Sequence, residues 1–480
     1  MQIKATVMRG VLAATATAAI LTAGAAGYWW NKEPAFDAER ILAQSKLKGR
    51  TFQGEVREVR ALGGKVGAYL MEEHSVPLAA VSLRFAKAGT AYETRPGVAL
   101  LAESVLLDGA GDYSRKELRR LMKEKGIRLD AAADNDTLAF SLSYVKEFEN
   151  EALEVLRAVL FEPQLNEEDL ALARRQLAVL RQREKESPAH QLGELVKREF
   201  YGSHPYGRES IPDEAALEAV TAADIRAYLQ TVMGKDNLTV GIAGDMDRAE
   251  AEAFLSRAVA DLPDKAAVKA LPEFKPDFQQ EKIAEISPIS AQSIVLTAAA
   301  GVARLDKDFY PLYVADYIFG GAGLSSRLSQ AVREKEGLTY GIYSMLSMSD
   351  AVNTWSVGFS ATPENTAEIM EIAAAEYRDF YDNGVSEEEL QQAKDSLMAS
   401  FNLRFGSLIN IAGMLEQMQY QKLGQDFLQN RQAQVAAITA EEVNSAIKRR
   451  LPKSFDAAGG VRVFEVSGGL KAARENGAAE

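Results

Sequence analysis

Metal, acyl-transfer and phosphoryl chemistry each need particular side chains at particular spacings, and this chain is poor in most of them. It has three histidines, His74, His190 and His204, and no cysteine. Thiol nucleophiles, disulfides and cysteine-based zinc sites are therefore excluded. A histidine zinc site on a helix needs two rings about one turn apart, and these three lie far from one another in sequence. No Ser-His-Asp set can be assembled from them. His74 stands in Glu72-Glu73-His74-Ser75, a predicted turn, and reads as a surface residue. His190 and His204 fall near helix ends, where a solvated or capping role is the default. Gly320-Gly321-Ala322-Gly323 lacks the Lys-Ser/Thr that a phosphate loop requires, and reads as a helix C-cap and turn. Arg174, Arg175, Arg181 and Arg183 alternate with Leu177 and Leu180 at helical spacing, which predicts the solvated face of an amphipathic helix.

The elements that would position such residues come in duplicate. Leu165 begins LNEEDLALARRQL and Val385 begins VSEEELQQAKDSL, about 220 residues later. Asn166 and Ser386 are predicted N-caps, each followed by acids in the first turn. VTAADIRAYL from Val220 pairs with ITAEEVNSAI from Ile438, each with a threonine cap, and the strand VSLRF from Val81 pairs with IVLTA from Ile294. A period this long is no solenoid. Each half mixes adjacent strands with paired helices, which predicts an α+β fold of two homologous domains, each a mostly antiparallel sheet packed against helices. The expected boundaries are 45–262 and 282–468. The proline-rich stretch 263–281 reads as a linker and 469–480 as a flexible tail.

The chain has 480 residues, enough for more than one core, and a formal net charge of -13. It has no long basic cluster, so no nucleic-acid partner is expected. Lys4 and Arg9 precede an uncharged run rich in Ala, Thr and Gly, with an Ala23-Gly24-Ala25 cleavage pattern. Residues 1–26 therefore read as a signal peptide or an N-terminal anchor. The body is expected outside the cytoplasm, in the periplasm of a Gram-negative cell, with a membrane tether at the N-terminus as the alternative to cleavage.

At this point the residues resemble a family. Ser326-Arg327-Leu328 followed by Arg333, Glu334, Gly337, Leu338 and Tyr340 is similar to the second-half signature of M16 (pitrilysin/insulinase-like) peptidases of the M16B type. HPYGRESI from His204 and NLTVGIAGDMD from Asn237 resemble first-half segments of that family. The resemblance spans about Gly49 to Gly469. It implies two domains of the LuxS/metallohydrolase-like fold. Active members carry His-x-x-Glu-His on the first long helix, with a later Glu completing the zinc site. Here the matching stretch is Leu100-Leu101-Ala102-Glu103-Ser104, so Leu100 and Ser104 stand where the histidines should, and only Glu103 survives. The later ligand falls near Leu180, with Glu184 and Glu186 close by. No metal is expected in this chain, and no cofactor.

What the resemblance implies for the second half is different. In the family an Arg and a Tyr seven residues apart reach toward the zinc site, bind the substrate backbone and steady the oxyanion. Carried over, these are Arg333 and Tyr340, with Gly321 and Gly323 in a glycine loop that touches substrate. Read without the family, Arg333 is an exposed charge beside Glu334 and Glu336, and Tyr340 a half-buried strand aromatic. The reading that follows is a non-catalytic subunit, inactive alone, whose heterodimer partner is an HxxEH-bearing M16 chain holding the zinc and whose substrate is peptide or unfolded protein. Two alternatives stand beside it. One is an inert structural or binding protein of an envelope complex. The other is an enzyme in which Glu103 with Glu184 or Glu186 holds a hard cation.

Overall fold

The computed structural model describes residues 54–469. The expected leader 1–26, and all of the expected tail beyond Gly469, lie outside the described residues. Among the described residues no helix is long and apolar enough to cross a membrane.

Strands β1 (Arg57–Ala61), β2 (Val66–Glu72) and β3 (Leu78–Ala86) open the first half. A two-stranded ribbon, β4 (Gly109–Ala110) and β5 (Tyr113–Ser114), precedes β6 (Arg128–Ala133) and β7 (Thr137–Val145), and β8 (Leu238–Gly244) closes the half. The second half contributes β9 (Ile283–Ser287), β10 (Ser293–Ala300), β11 (Ile342–Ser347), β12 (Thr354–Ala361) and β13 (Arg462–Gly468). The first sheet has the order β1-β2-β8-β3-β7-β6. The second, read from its β9 edge, runs β9-β13-β10-β12-β11. Strand for strand these are the same sheet, with β1 added at one edge of the first. The single parallel pair in each, β2 with β8 and β9 with β13, falls at the same place. The mostly antiparallel α+β architecture read from the sequence is what forms.

Local chemistry accounts for the helix starts. Thr221 and Asp224 form a capping box at the Ala222–Val232 helix, and Thr439 and Glu442 form the matching one at Ala440–Arg450. Ser386 and Glu389 do the same at Glu387–Asn402. Asn166 departs from the expectation. It sits at the N-cap position of Glu167–Lys185, but its side-chain amide donates to Gln164 and Asp169 and accepts nothing from the helix.

The strand match also needs a correction of one residue. Val81, Leu83 and Phe85 face the helices of the first half. Ile294, Leu296 and Ala298 face the opposite way, and Val295 and Ala299 face the helices of the second half. Val81 therefore corresponds to Val295. A one-residue slip in a strand exchanges the two faces, so similarity of residue type alone could not set this register.

The other face of each sheet is covered by a helix from the opposite half. The Pro188–Val196 helix, in the first half of the chain, packs on β10 and β13. The Leu408–Tyr420 helix, from the second half, packs on β2, β3 and β8. Leu192, Leu195 and Phe200 join Ala298, Phe464 and Val466 in a separate apolar cluster. Each buried Leu, Val or Phe of that cluster contributes roughly 1.5–3 kcal/mol. The stretch expected as a linker has no regular element, yet Phe274 and Phe278 pack on Phe200 at ring distances of 5.5 and 5.4 Å. It straps the exchanged helix in place.

Candidate functional site

The helix that would carry a zinc motif is Val98–Val105. Glu93 fixes its start: the Gly97 and Ala99 amides donate to the two oxygens of that buried carboxylate, and Gly97 turns the chain with φ of 90°. Along the helix, Leu100 packs on the first core, and Leu180 of the Glu167–Lys185 helix packs on the same core. A leucine has no lone pair to offer a metal. Ser104 Oγ donates to the Leu100 carbonyl at 2.8 Å, which turns the hydroxyl at the second ligand position toward the backbone one turn back, and a neutral hydroxyl is a poor substitute for imidazole on zinc. Glu103 points to the sheet, where the Ala133 amide donates to its Oε2 at 3.3 Å. Burial pushes the Glu103 carboxyl up to about 7, against the pull of that amide. Glu184 lies 3.5 Å from His190 Nδ1, and Glu186 is exposed. Among the described residues no three His, Asp or Glu side chains converge to hold a metal ion. The residues present do not fit the family's zinc.

The second-half residues stand differently. Arg333 lies in the turn Ser329–Lys335, whose backbone winds wider than an α-helix, with its side chain 37 % exposed. Its Nε comes 3.8 Å from Glu334, too far for a hydrogen bond. Tyr340 is 84 % exposed, just before β11, so it is not the half-buried aromatic expected without the family. The adjacent chain is anchored by Thr339, whose hydroxyl donates to the Ser360 carbonyl at 2.6 Å. Both side chains are thus held by ordered backbone and left open to solvent. In the glycine run, Gly320 packs on β11 so closely that a Cβ there would overlap Ser344. Gly323 turns with φ of 61° in open space, and Gly321 rests on Asp316.

Two further readings are corrected. Arg174 is buried, donating to Glu167 at 2.6 Å and to the Val220 carbonyl at 2.7 Å, so it is not part of a solvated face. His190 is buried between Glu184 and Glu194 instead of solvated. His204 takes the capping role expected of it, accepting from the Tyr206 amide, and is buried. His74 is exposed, its Nδ1 2.8 Å from Asp245.

Some organising residues carry a further signal in the sequence. Arg327 forks onto Glu389 at 2.6 and 2.9 Å and reaches the Gly384 carbonyl at 2.8 Å. Burial opposes the Glu389 charge, yet this fork and the Ser386 cap hold its carboxyl at about 2. In the first half Arg115 binds Asp108 at 2.8 Å and Asp169, the acid in the first turn of the equivalent helix. The Ser-Arg dipeptide at 114–115 and 326–327 is thus a repeated staple. Glu416, the lone charge in the apolar helix LINIAGMLEQMQY, was a second signal. It is fully buried and accepts from Arg84 Nε at 2.8 Å and Thr239 Oγ1 at 3.0 Å.

Comparison with known proteins agrees with this geometry. Residues 68–213 match the insulinase (peptidase family M16) model, and residues 219–397 match the peptidase M16 inactive domain model. A Helicobacter pylori protein named non-peptidase homolog YmxG is 24% identical over 388 residues, covering 80% of this chain and 89% of its own length. A Pseudomonas fluorescens structure titled peptidase M16 inactive domain superposes with a TM-score of 0.78 at 24% identity, covering 86% of this chain and 97% of its own. The periplasmic protease PqqL of Escherichia coli superposes with a TM-score of 0.70 at 14% identity, covering 92% of this chain but 49% of its own. With both halves matched and both sheets built alike, the chain belongs to the M16 peptidase family.

Proposed function

We propose that this chain is the non-catalytic subunit of a two-chain M16 peptidase and serves a zinc site held by a different, HxxEH-bearing M16 chain. The observation that carries this reading is the opposite fate of the two half-sites. Leu100 and Leu180 have no ligating atom and Ser104 offers only a neutral hydroxyl turned to the Leu100 carbonyl, while Tyr340 is open to solvent and Arg333, seven residues before it, lacks a strong partner. A guanidinium and a phenol aimed at developing negative charge form a large catalytic term in acyl transfer. PqqL supports the arrangement, since this chain spans about half of that protease and a second M16 chain of similar size would match its length. The substrate is peptide or unfolded protein. The periplasmic description of that neighbour joins the N-terminal charge pattern in favour of export, with a membrane tether as a variant of the same reading.

The test uses the purified chain with and without its HxxEH partner. Alone it should bind no zinc and cleave nothing. With the partner, Arg333→Ala and Tyr340→Phe should each lower turnover, by about 10²-fold, and leave complex formation intact. Chelator-sensitive cleavage by the single chain would overturn the proposal.

The name of the Helicobacter pylori relative, a non-peptidase homolog, favours a second reading in which the protein is inert, and we place that inert protein in an envelope complex. There the captured partner would lack a zinc motif, and Arg333→Ala would leave the complex's function unchanged.

A further inference from the structure

The first helix after β10, Phe309–Asp316, holds in the second half the place that Val98–Val105 holds after β3. Guanidiniums gather beside it. Arg304 comes from the loop after β10, Arg431 from the Phe427–Ala437 helix and Arg404 from the short turn Leu403–Phe405. Arg304 and Arg431 are buried, whereas Arg404 is exposed. Arg304 lies 4.0 Å over the Phe309 ring, and Arg431 lies 4.2 Å over the Phe401 ring. A ring covers one face of each guanidinium and leaves the N–H groups, which lie in its plane, for an acceptor.

Arg431 is poorly matched within the protein. Its Nη2 is 3.5 Å from Tyr313 Oη, and its Nη1 is buried without a hydrogen-bond partner among the described residues. The Tyr310 hydroxyl is likewise buried and unpartnered. Burial raises the Tyr310 phenol, and Arg304 and Arg431 both pull against that rise, so the two guanidiniums flank one hydroxyl. Partial burial, with the like charge of Arg431 and against Tyr313, pushes the Arg404 guanidinium below its ordinary value. A buried donor left unmade is costly, and so are like charges gathered away from water. An anion with several oxygens relieves both.

We propose that Arg304, Arg404 and Arg431 form a binding site for a phosphate-type oxyanion, entered past Arg404, with the Tyr310 hydroxyl as a further donor. Guanidiniums stacked on rings offer their N–H groups edge-on, the geometry that pairs with phosphate oxygens. A phosphate group carries more than one negative charge near neutral pH, where a carboxylate carries one, so it suits several guanidiniums better. The same chemistry recognises the free ion and a phosphate monoester on a larger molecule.

The test is calorimetric titration of the full chain with sodium phosphate and, separately, with glycerol phosphate, at an ionic strength fixed with chloride. Saturable binding of one phosphate per chain is expected, with a rise of a few degrees in melting temperature at saturation. Binding of the free ion alone identifies inorganic phosphate as the ligand class, and comparable binding of the ester identifies a phosphate carried on a larger molecule. Arg431→Met, which keeps an apolar stem against Phe401, should weaken binding about tenfold or more. Should that variant fail to fold, Arg404→Met at the exposed mouth carries the test and should also weaken binding. No saturable binding of either compound, or binding unchanged in the variants, would overturn the site.

Discussion

The two halves share one strand order and one exchange of helices, but they hold the exchanged helix by different physics. On the first sheet the Leu408–Tyr420 helix lies backbone to backbone with β8. A Cβ at Gly241 would overlap the Ala412 carbonyl and the Glu416 amide. At that close range a charge is sealed in: Glu416 lies between Arg84 and Thr239, its Oε2 without a hydrogen-bond partner. Burial pushes the Glu416 carboxyl upward, and Arg84 opposes it. On the second sheet the Pro188–Val196 helix is held off by bulk, with Phe464 and Val466 meeting Leu192 and Leu195 and Phe200 behind them. A duplicated fold thus fixes where a helix must dock without fixing the forces that dock it. A polar, tightly fitted contact depends on a few groups, whereas an apolar one is spread over many.

That comparison can be broken in order of severity. Gly241→Val should have the largest effect, because neither the helix backbone nor the strand backbone can move aside cheaply. The expected outcome is loss of the cooperative unfolding transition, read by calorimetry, where Val466→Ile on the second sheet leaves one. Glu416→Ala should follow. It removes the main partner of the half-buried Arg84 guanidinium, which keeps Thr137 and the more distant Asp134, and chemical denaturation should show a loss of roughly 1.5–3 kcal/mol. A smaller loss would mean that the pair is hydrated. The finest cut compares the two equivalent helix starts. Ser386→Ala removes a cap that accepts from the Glu389 amide, and should cost about 1 kcal/mol. Asn166→Ala removes no such bond and should change stability by less than about 0.5 kcal/mol. Equal losses at the two positions would show that the caps behave alike despite their different geometry.

The same divergence marks the two half-sites. In the first half, apolar packing has taken over the ligand positions, since Leu100 and Leu180 both serve the core. In the second, Tyr340 contributes nothing to packing. A single exposed aromatic is ordinary on a protein surface, so the proposed function rests on Tyr340 through its place seven residues after Arg333 in the family signature, with its exposure leaving it free to act.

Local signals made much of this legible from the sequence. Threonine and serine caps marked helix starts, the spacing of two similar segments revealed the duplication, and the residues at the HxxEH positions argued against an intact zinc motif by their type alone. Those properties depend on neighbours within a turn or on the chemistry of one side chain. What the tertiary structure decided was every relation between distant segments. It set the one-residue register of β10 and the burial of Arg174 against Val220. It sent one helix of each half to the other's sheet, and it brought Arg404 and Arg431 together. Such relations arise because a strand or helix must cover whichever apolar face lies nearest in space. That neighbour is chosen by packing over the whole chain, which no local stretch of residues encodes.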